Sequence, residues 1–175
     1  MEQAQVLTFL NNEDRDLLLQ FCGYSTTEPL HSFGPVVRPH YIIHFILNGK
    51  GIFQIREKTY HLETGQGFLI EPDELTFYQS DAQEPWEYLW IGFNGKMIPE
   101  FLKQIGLSSA HPIFHCDKKK ELYWLVNDML VHSKSNFSSD LRRTGLLYEF
   151  LSILALNPLE SDQQVDSEYM YINQA

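Results

Sequence analysis

Apolar residues recur along this chain with two different periods. Between Tyr41 and Asn94 they come in short β-branched and aromatic runs: Tyr41 to Leu47, Ile52 to Arg56, Thr59 to Leu62, Phe68 to Glu71 and Leu75 to Gln79. Turn chemistry separates them at Asn48-Gly49-Lys50-Gly51, Glu57-Lys58, Glu63 to Gly67 and Pro72-Asp73-Glu74. Short strands at such spacing predict an antiparallel barrel or jelly roll. After Gly95 the period lengthens to that of helices. Ile98, Phe101, Leu102 and Ile105 make a short amphipathic helix ended by Gly106, and Leu122, Leu125, Val126, Met129 and Leu130 make a second. Leu141, Leu147, Leu151 and Leu154, with Tyr148 and Ala155 beside them, make a third that stops before Pro158. Strands first and helices afterwards give a mainly β chain with α, a β barrel with a helical appendage. Ahead of the strands, Met1 to Pro29 reads as irregular extended wrapping, and Leu30 to Pro35 as an entry loop, because Gly34 and Pro35 punctuate rather than pair.

One strand has no wet face. In Pro85 to Gly95 a period of two puts Trp86, Tyr88 and Trp90 on one side and Leu89, Ile91 and Phe93 on the other. Both sides need cover. The aromatic side carries two indole N–H groups and a phenol, which suits a binding surface, while the aliphatic side suits the helices that follow.

Charge narrows the partners. The formal net charge is −10, and an acidic domain repels phosphate backbones, so this stretch is not expected to bind DNA by itself. Lys118-Lys119-Lys120 opens a helical pattern and reads as a solvated helix end. No apolar run approaches the roughly 20 residues of a membrane span, and Met1 to Leu10 lacks the marks of a secretory leader; the chain is expected in the cytoplasm, away from membranes. Cys22 and Cys116, far apart and without a second cysteine at metal or redox spacing, read as reduced thiols.

Candidate chemistry centres on the barrel interior. Alternation nominates Trp86, Tyr88 and Trp90 from one strand, Thr76 and Tyr78 from another, and Arg38 at the lip as the wall of a small ligand site. Aromatic faces stack on the C–H faces of sugar rings while an arginine fork and hydroxyls bond their OH groups, so the wall is carbohydrate chemistry by type. The competing reading makes the same rings barrel core with satisfied polar tips. His44 is expected to be an inner hydrogen-bonded residue that reaches the ligand. His40 and His44 would stand roughly 13 Å apart on one strand face, too far to share an ion, and His31, His61, His111, His115 and His132 are scattered, the third and fourth in a proline-containing loop. Neither a metal site nor a cofactor is expected. No Gly-x-Ser-x-Gly or phosphate-binding glycine loop is present, and Glu71, Asp73, Glu74 and Glu87 read as turn formers or ligand hydrogen-bond acceptors near the lip, so catalysis is unsupported.

Taken together in their order, Cys22-Gly23-Tyr24, His31 to Pro35, Arg38-Pro39, Tyr41-x-Ile-His44, Gly49-Lys50-Gly51, Gly65-Gln66-Gly67-Phe68-Leu69-Ile70-x-Pro72, Tyr78 and Pro85 to Gly95 form a pattern. It resembles the N-terminal effector-binding and dimerisation domain of AraC-type transcriptional regulators, particularly those governing sugar use in Gram-positive bacteria, over roughly residues 20 to 157. The resemblance implies a cupin-like antiparallel β jelly-roll barrel whose lumen takes a mono- or oligosaccharide (residues 1–95 with an N-terminal arm), then a helical dimerisation segment (96–158). It further implies that 159–175 leads toward a helix-turn-helix DNA-binding domain that is not in this sequence. Arg38 matches a ligand-contacting arginine of the family and Trp90 the tryptophan on which the sugar stacks. Thr76, Tyr78 and Tyr88 match pocket positions, but two of these are histidines where the family binds arabinose, so Thr76 and Tyr88 point away from that sugar. Thr76 also stands where a metal-dependent cupin places a histidine. On the last helix Leu147, Tyr148, Leu151, Leu154 and Ala155 are the candidate homodimer stripe, with packing against the barrel as the alternative. The rivals to a sugar-sensing domain are a metal-dependent cupin enzyme and an oligomerisation module whose lumen is filled by side chains.

Overall fold

The computed structural model describes residues 3–8 and 15–157. The segment 159–175, expected above to lead toward a DNA-binding domain, lies outside the described residues. The strands are β1 (Gln3–Thr8), β2 (Leu18–Thr26), β3 (Ser32–Val36), β4 (Tyr41–Asn48), β5 (Lys50–Ile55), β6 (Lys58–Glu63), β7 (Gln66–Ile70), β8 (Thr76–Ser80), β9 (Glu87–Asn94) and β10 (Ile113–His115). They form two antiparallel sheets, six-stranded in the order β1-β2-β9-β4-β7-β10 and four-stranded in the order β3-β8-β5-β6. Facing each other, these make a cupin-like jelly roll. Three helices follow: α1 (Ile98–Ile105), α2 (Lys119–Val131) and α3 (Phe137–Leu154).

The strands with two dry faces explain the layering. On β4, Ile42 and Ile46 point between the sheets with Phe53, Ile55, Leu62, Phe68, Ile70, Tyr78, Trp86 and Tyr88. Ile43, Phe45 and Leu47 point the other way, with Leu89, Ile91 and Phe93 of β9, into a second core built with the helices. The helical segment thus shares a core with the barrel. That settles the two faces of the Pro85–Gly95 stretch as the alternation assigned them. Helix boundaries also follow the pattern: α1 ends at Gly106, left-handed at φ 86, a conformation that costs a residue without Cβ nothing. The side chain of Asn136 caps α3 by accepting from the Ser139 N–H at 2.9 Å.

Three expectations are overturned. Residues 18–26 do not wrap irregularly but form β2, which lies between β1 and β9. Its pattern hid it: the strand is buried on both faces, and a bulge between Leu19 and Phe21 breaks the alternation. Residues 32–36 are strand rather than loop. β3 is an edge strand paired only with β8, and its register shifts between Phe33 and Val36, which is where Gly34 and Pro35 are tolerated. Within the proline-containing loop of His111 and His115, Ile113–His115 pairs with β7 and closes that sheet edge.

Both cysteines are free and buried. Burial pushes the Cys22 thiol up to about 12, against the opposing pull of Arg143, which leaves it unreactive. The three-lysine run does begin α2, though Lys119 Nζ donates to the carbonyl of Leu47 at 3.0 Å and so ties the helix start to the end of β4.

Candidate functional site

Strand register brings the lumen residues together. His44 stands opposite Trp90 on β9 and opposite Phe68 on β7, while Ile46 stands opposite Tyr88. Across the lumen Tyr78 is paired with Phe53 of β5 and Phe33 of β3. The rings form one continuous wall: His44 stacks on Phe68 at 4.6 Å between centroids and meets Tyr78 at 4.9 Å and Tyr88 at 5.6 Å. Tyr88 meets Trp90 at 5.3 Å. Trp90 is half-buried, and a Cβ on Gly23 would lie 2.5 Å from its ring, so glycine at that point of β2 is what lets the indole lie across the sheet.

Arg38 enters from the lip. Its guanidinium sits 4.0 Å over the ring of Phe33, which stacks on Tyr78 at 5.7 Å. Its carbonyl accepts from the Asp73 N–H at 3.0 Å, joining the β3–β4 connection to the β7–β8 turn. Of the other lip carboxylates, Glu71 accepts from the Ser109 N–H at 2.6 Å and from its hydroxyl, and Glu74 pairs with Arg56. They brace the lip. Thr76 is buried on the same face of β8 as Tyr78, opposite Ile55.

Of the six residues proposed from sequence, His44, Tyr78, Tyr88 and Trp90 are therefore contiguous. Arg38 joins them through Phe33, and Thr76 lies nearby on β8. Phe33 was missed, because only the pairing of β3 with β8 places it under the arginine. Trp86 proves to be buried core at the end of the lumen away from Arg38, with its ring seated on Gly51, where a Cβ would meet it at 2.7 Å. Two surface hollows lie elsewhere and use none of the six: one of about 660 Å³ beside Leu47, Tyr123 and Trp124, and one of about 650 Å³ over Ile52, His61 and Gln79. Among the described residues no three His, Cys, Asp or Glu side chains gather as a metal ion would require. His40, outside β4, accepts from Asn94 Nδ2 at 3.1 Å and packs edge-on to Phe21.

The proposed dimer stripe divides. Leu147, Leu151 and Leu154 are buried in the core shared by the helices and the six-stranded sheet, so their side chains offer nothing to a second copy. Tyr148 and Ala155 are exposed. The expectation is corrected for the three leucines, and the cause is geometric: one helix has two apolar stripes, and the inner one covers β2.

The lumen is held neutral. Burial, and secondarily the Arg38 charge, hold the His44 imidazole well below its usual range. On acidification the unfolded chain, with an imidazole near 6.5, takes up a proton that the folded chain refuses. Stability contributed here is intact above about pH 6.5 and is lost as pH falls below it, by up to about 1.4 kcal/mol per pH unit until folded His44 itself titrates. Urea midpoints between about pH 7 and about pH 5 should fall more steeply for wild type than for His44→Gln; parallel curves would refute this placement.

Over residues 18–151 the sequence matches the family model described as the AraC-like ligand binding domain. It is 36% identical over 167 residues to the Msm operon regulatory protein of Streptococcus mutans serotype c, an alignment that covers 91% of this chain and 58% of that protein. It is 29% identical over 141 residues to the lactose operon transcription activator of Staphylococcus xylosus, covering 79% and 50%. The chain spans about half the length of these curated relatives. A cupin 2 conserved barrel domain protein from Salinispora arenicola superposes with a TM-score of 0.43 at 14% identity, covering 59% of this chain and 84% of that one.

Proposed function

We propose that this chain, which belongs to the AraC-like ligand-binding domain family, senses an uncharged mono- or oligosaccharide in its lumen and pairs with a second copy through its helices. Residues 1–95 supply the sensor and 96–158 the pairing segment. In a longer protein, 159–175 would lead to a DNA-binding domain whose hold on an operator depends on the sugar. The observation that carries the reading is the continuous wall of His44, Tyr78, Tyr88 and Trp90 with the Arg38 fork above it. Such a wall offers stacking faces and a few hydrogen-bonding tips, which is what holding a sugar ring asks of it. Binding, not catalysis, is its chemistry, and a cytoplasmic setting follows from a regulatory role.

Pairing is supported by the outer stripe of α3. Leu141, Tyr148 and Ala155 recur at seven-residue spacing with Gly145 and Ser152 between them, and all five are exposed. An apolar line of that period suits an isologous helix pair.

A second reading, an oligomerisation module with a lumen filled by its own side chains, is favoured by the burial of Tyr78, Trp86 and Tyr88. A saccharide panel separates the two. Lactose, raffinose, galactose, glucose and arabinose are titrated while the melting temperature is followed. Ligand at 100 times its dissociation constant should stabilise the chain by about 2.7 kcal/mol. No saccharide-specific shift would leave the module reading standing.

A further inference from the structure

Among the described residues, two side-chain nitrogens are fully buried without any hydrogen-bond partner: His44 Nδ1 and Trp86 Nε1. Unmade donors and acceptors in a protein interior destabilise it and are rare. Finding two in one lumen calls for a cause. Both rings are bracketed by the same three neighbours. His44 meets Phe68, Tyr78 and Tyr88 at 4.6, 4.9 and 5.6 Å, and Trp86 meets them at 6.4, 6.4 and 6.0 Å. Nor is the Trp86 indole free to turn toward a partner. Its ring is pressed on Gly51, and its carbonyl accepts from both the N–H and the hydroxyl of Thr27, at 3.1 and 2.8 Å. Trp86 immediately precedes β9, at the end opposite Phe93, which pairs with Tyr41 of the strand that follows Arg38, so it marks an inner storey of the barrel.

We propose that Trp86 Nε1 and His44 Nδ1 form an inner polar subsite that takes uncharged hydroxyl groups of the saccharide, deeper in the barrel than the Trp90 platform. This rests on the lumen being a saccharide site. An indole N–H can only donate, so the group that meets it must accept; a neutral imidazole nitrogen completes a set suited to hydroxyls and unsuited to a carboxylate or phosphate. The guanidinium of Arg38 stands over Phe33 at the lip, so any charged or extended part of the ligand belongs there. Because both nitrogens are shielded from solvent, the rings of Tyr78 and Tyr88 part to admit the hydroxyls. Occupancy is thereby coupled to a rearrangement of β8 and β9 side chains.

The test uses the indole N–H signals of the chain's three tryptophans, Trp86, Trp90 and Trp124, labelled with ¹⁵N and assigned by single substitutions. The probe is whichever of lactose, raffinose and galactose binds wild type. On saturation the Trp86 and Trp90 signals should both move while Trp124, on the outside of α2, stays. Trp86→Phe keeps a ring and removes the donor, so its dissociation constant should rise about tenfold. A merely packing role for Trp86 predicts unchanged affinity, and would overturn the subsite. His44→Phe is a second variant with the same expected loss of affinity. Should Trp86→Phe fail to fold, the wild-type Trp86 signal decides alone. If the saccharide binds and moves Trp90 but not Trp86, the inner subsite is wrong and the saccharide site stands. If none of the saccharides binds, the saccharide site falls and takes the subsite with it.

Discussion

Shortening Leu147 to alanine should cost the fold about 2–5 kcal/mol, read as a lower urea midpoint at a fixed protein concentration. Leu147 is completely buried beside Leu146, Phe150, Leu151 and Leu154, in the core where the helices cover the six-stranded sheet. Removing three carbons there leaves a cavity that close-packed neighbours only partly fill. The comparison that gives the result meaning is Leu141→Glu on the outer stripe of the same helix, where the side chain is 56% exposed. That substitution should leave the stability of the isolated protomer within about 0.5 kcal/mol while abolishing the proposed pairing through α3, read by sedimentation equilibrium. Because association itself stabilises, the urea curves are compared at a concentration low enough for both to be monomeric. A Leu147→Ala variant as stable as wild type would place that leucine outside the core. A Leu141→Glu variant that stays dimeric would move the pairing surface off α3.

Trp90→Ala should remove nearly all of the stabilisation that a saccharide gives. The indole is half-buried, lies across Gly23 and touches Tyr88, so it offers an open face at the middle level of the lumen. Truncating a tryptophan that a ligand stacks on costs on the order of 2–4 kcal/mol of binding. At a saccharide concentration of 100 times the wild-type dissociation constant, the wild-type gain of about 2.7 kcal/mol should shrink to about 0.4 kcal/mol when affinity falls a hundredfold. Trp90→Phe retains a smaller face and should give an intermediate shift. The melting temperatures with and without ligand measure this directly. Equal ligand-induced shifts in wild type and Trp90→Ala would mean that the sugar does not stack there.

The two substitutions probe the two sides of one strand pattern, and that pattern is where the chain was most legible. A run that carries apolar side chains on both faces from Trp86 to Phe93 asks for cover on both sides, so the two faces of that strand follow from alternation. His44 was reachable by the same rule, as every second residue of β4 from Ile42. The helices were legible because Gly106 and Pro158 bound them and their leucines keep a 3.6-residue period. β2 was not, because a strand buried on both faces and bulged near Phe21 shows neither alternation nor a polar edge. β3 was hidden for the opposite reason. Gly34 and Pro35 look like loop until an edge position with a register shift makes room for them.

By itself, then, the sequence determined that short strands between Tyr41 and Asn94 come before the helices, the two dry faces of its central strand, and a set of aromatic and hydroxyl groups of carbohydrate-binding type. Those properties are local: side-chain period, turn chemistry and residue type act over a few residues. Only the tertiary structure decided that Phe33 lies under Arg38, that the inner leucines of α3 belong to the core rather than to a partner, and that Trp86 and His44 are buried with unpaired nitrogens. Each depends on which distant strand or helix arrives opposite, and burial is a property of that arrival rather than of the residue.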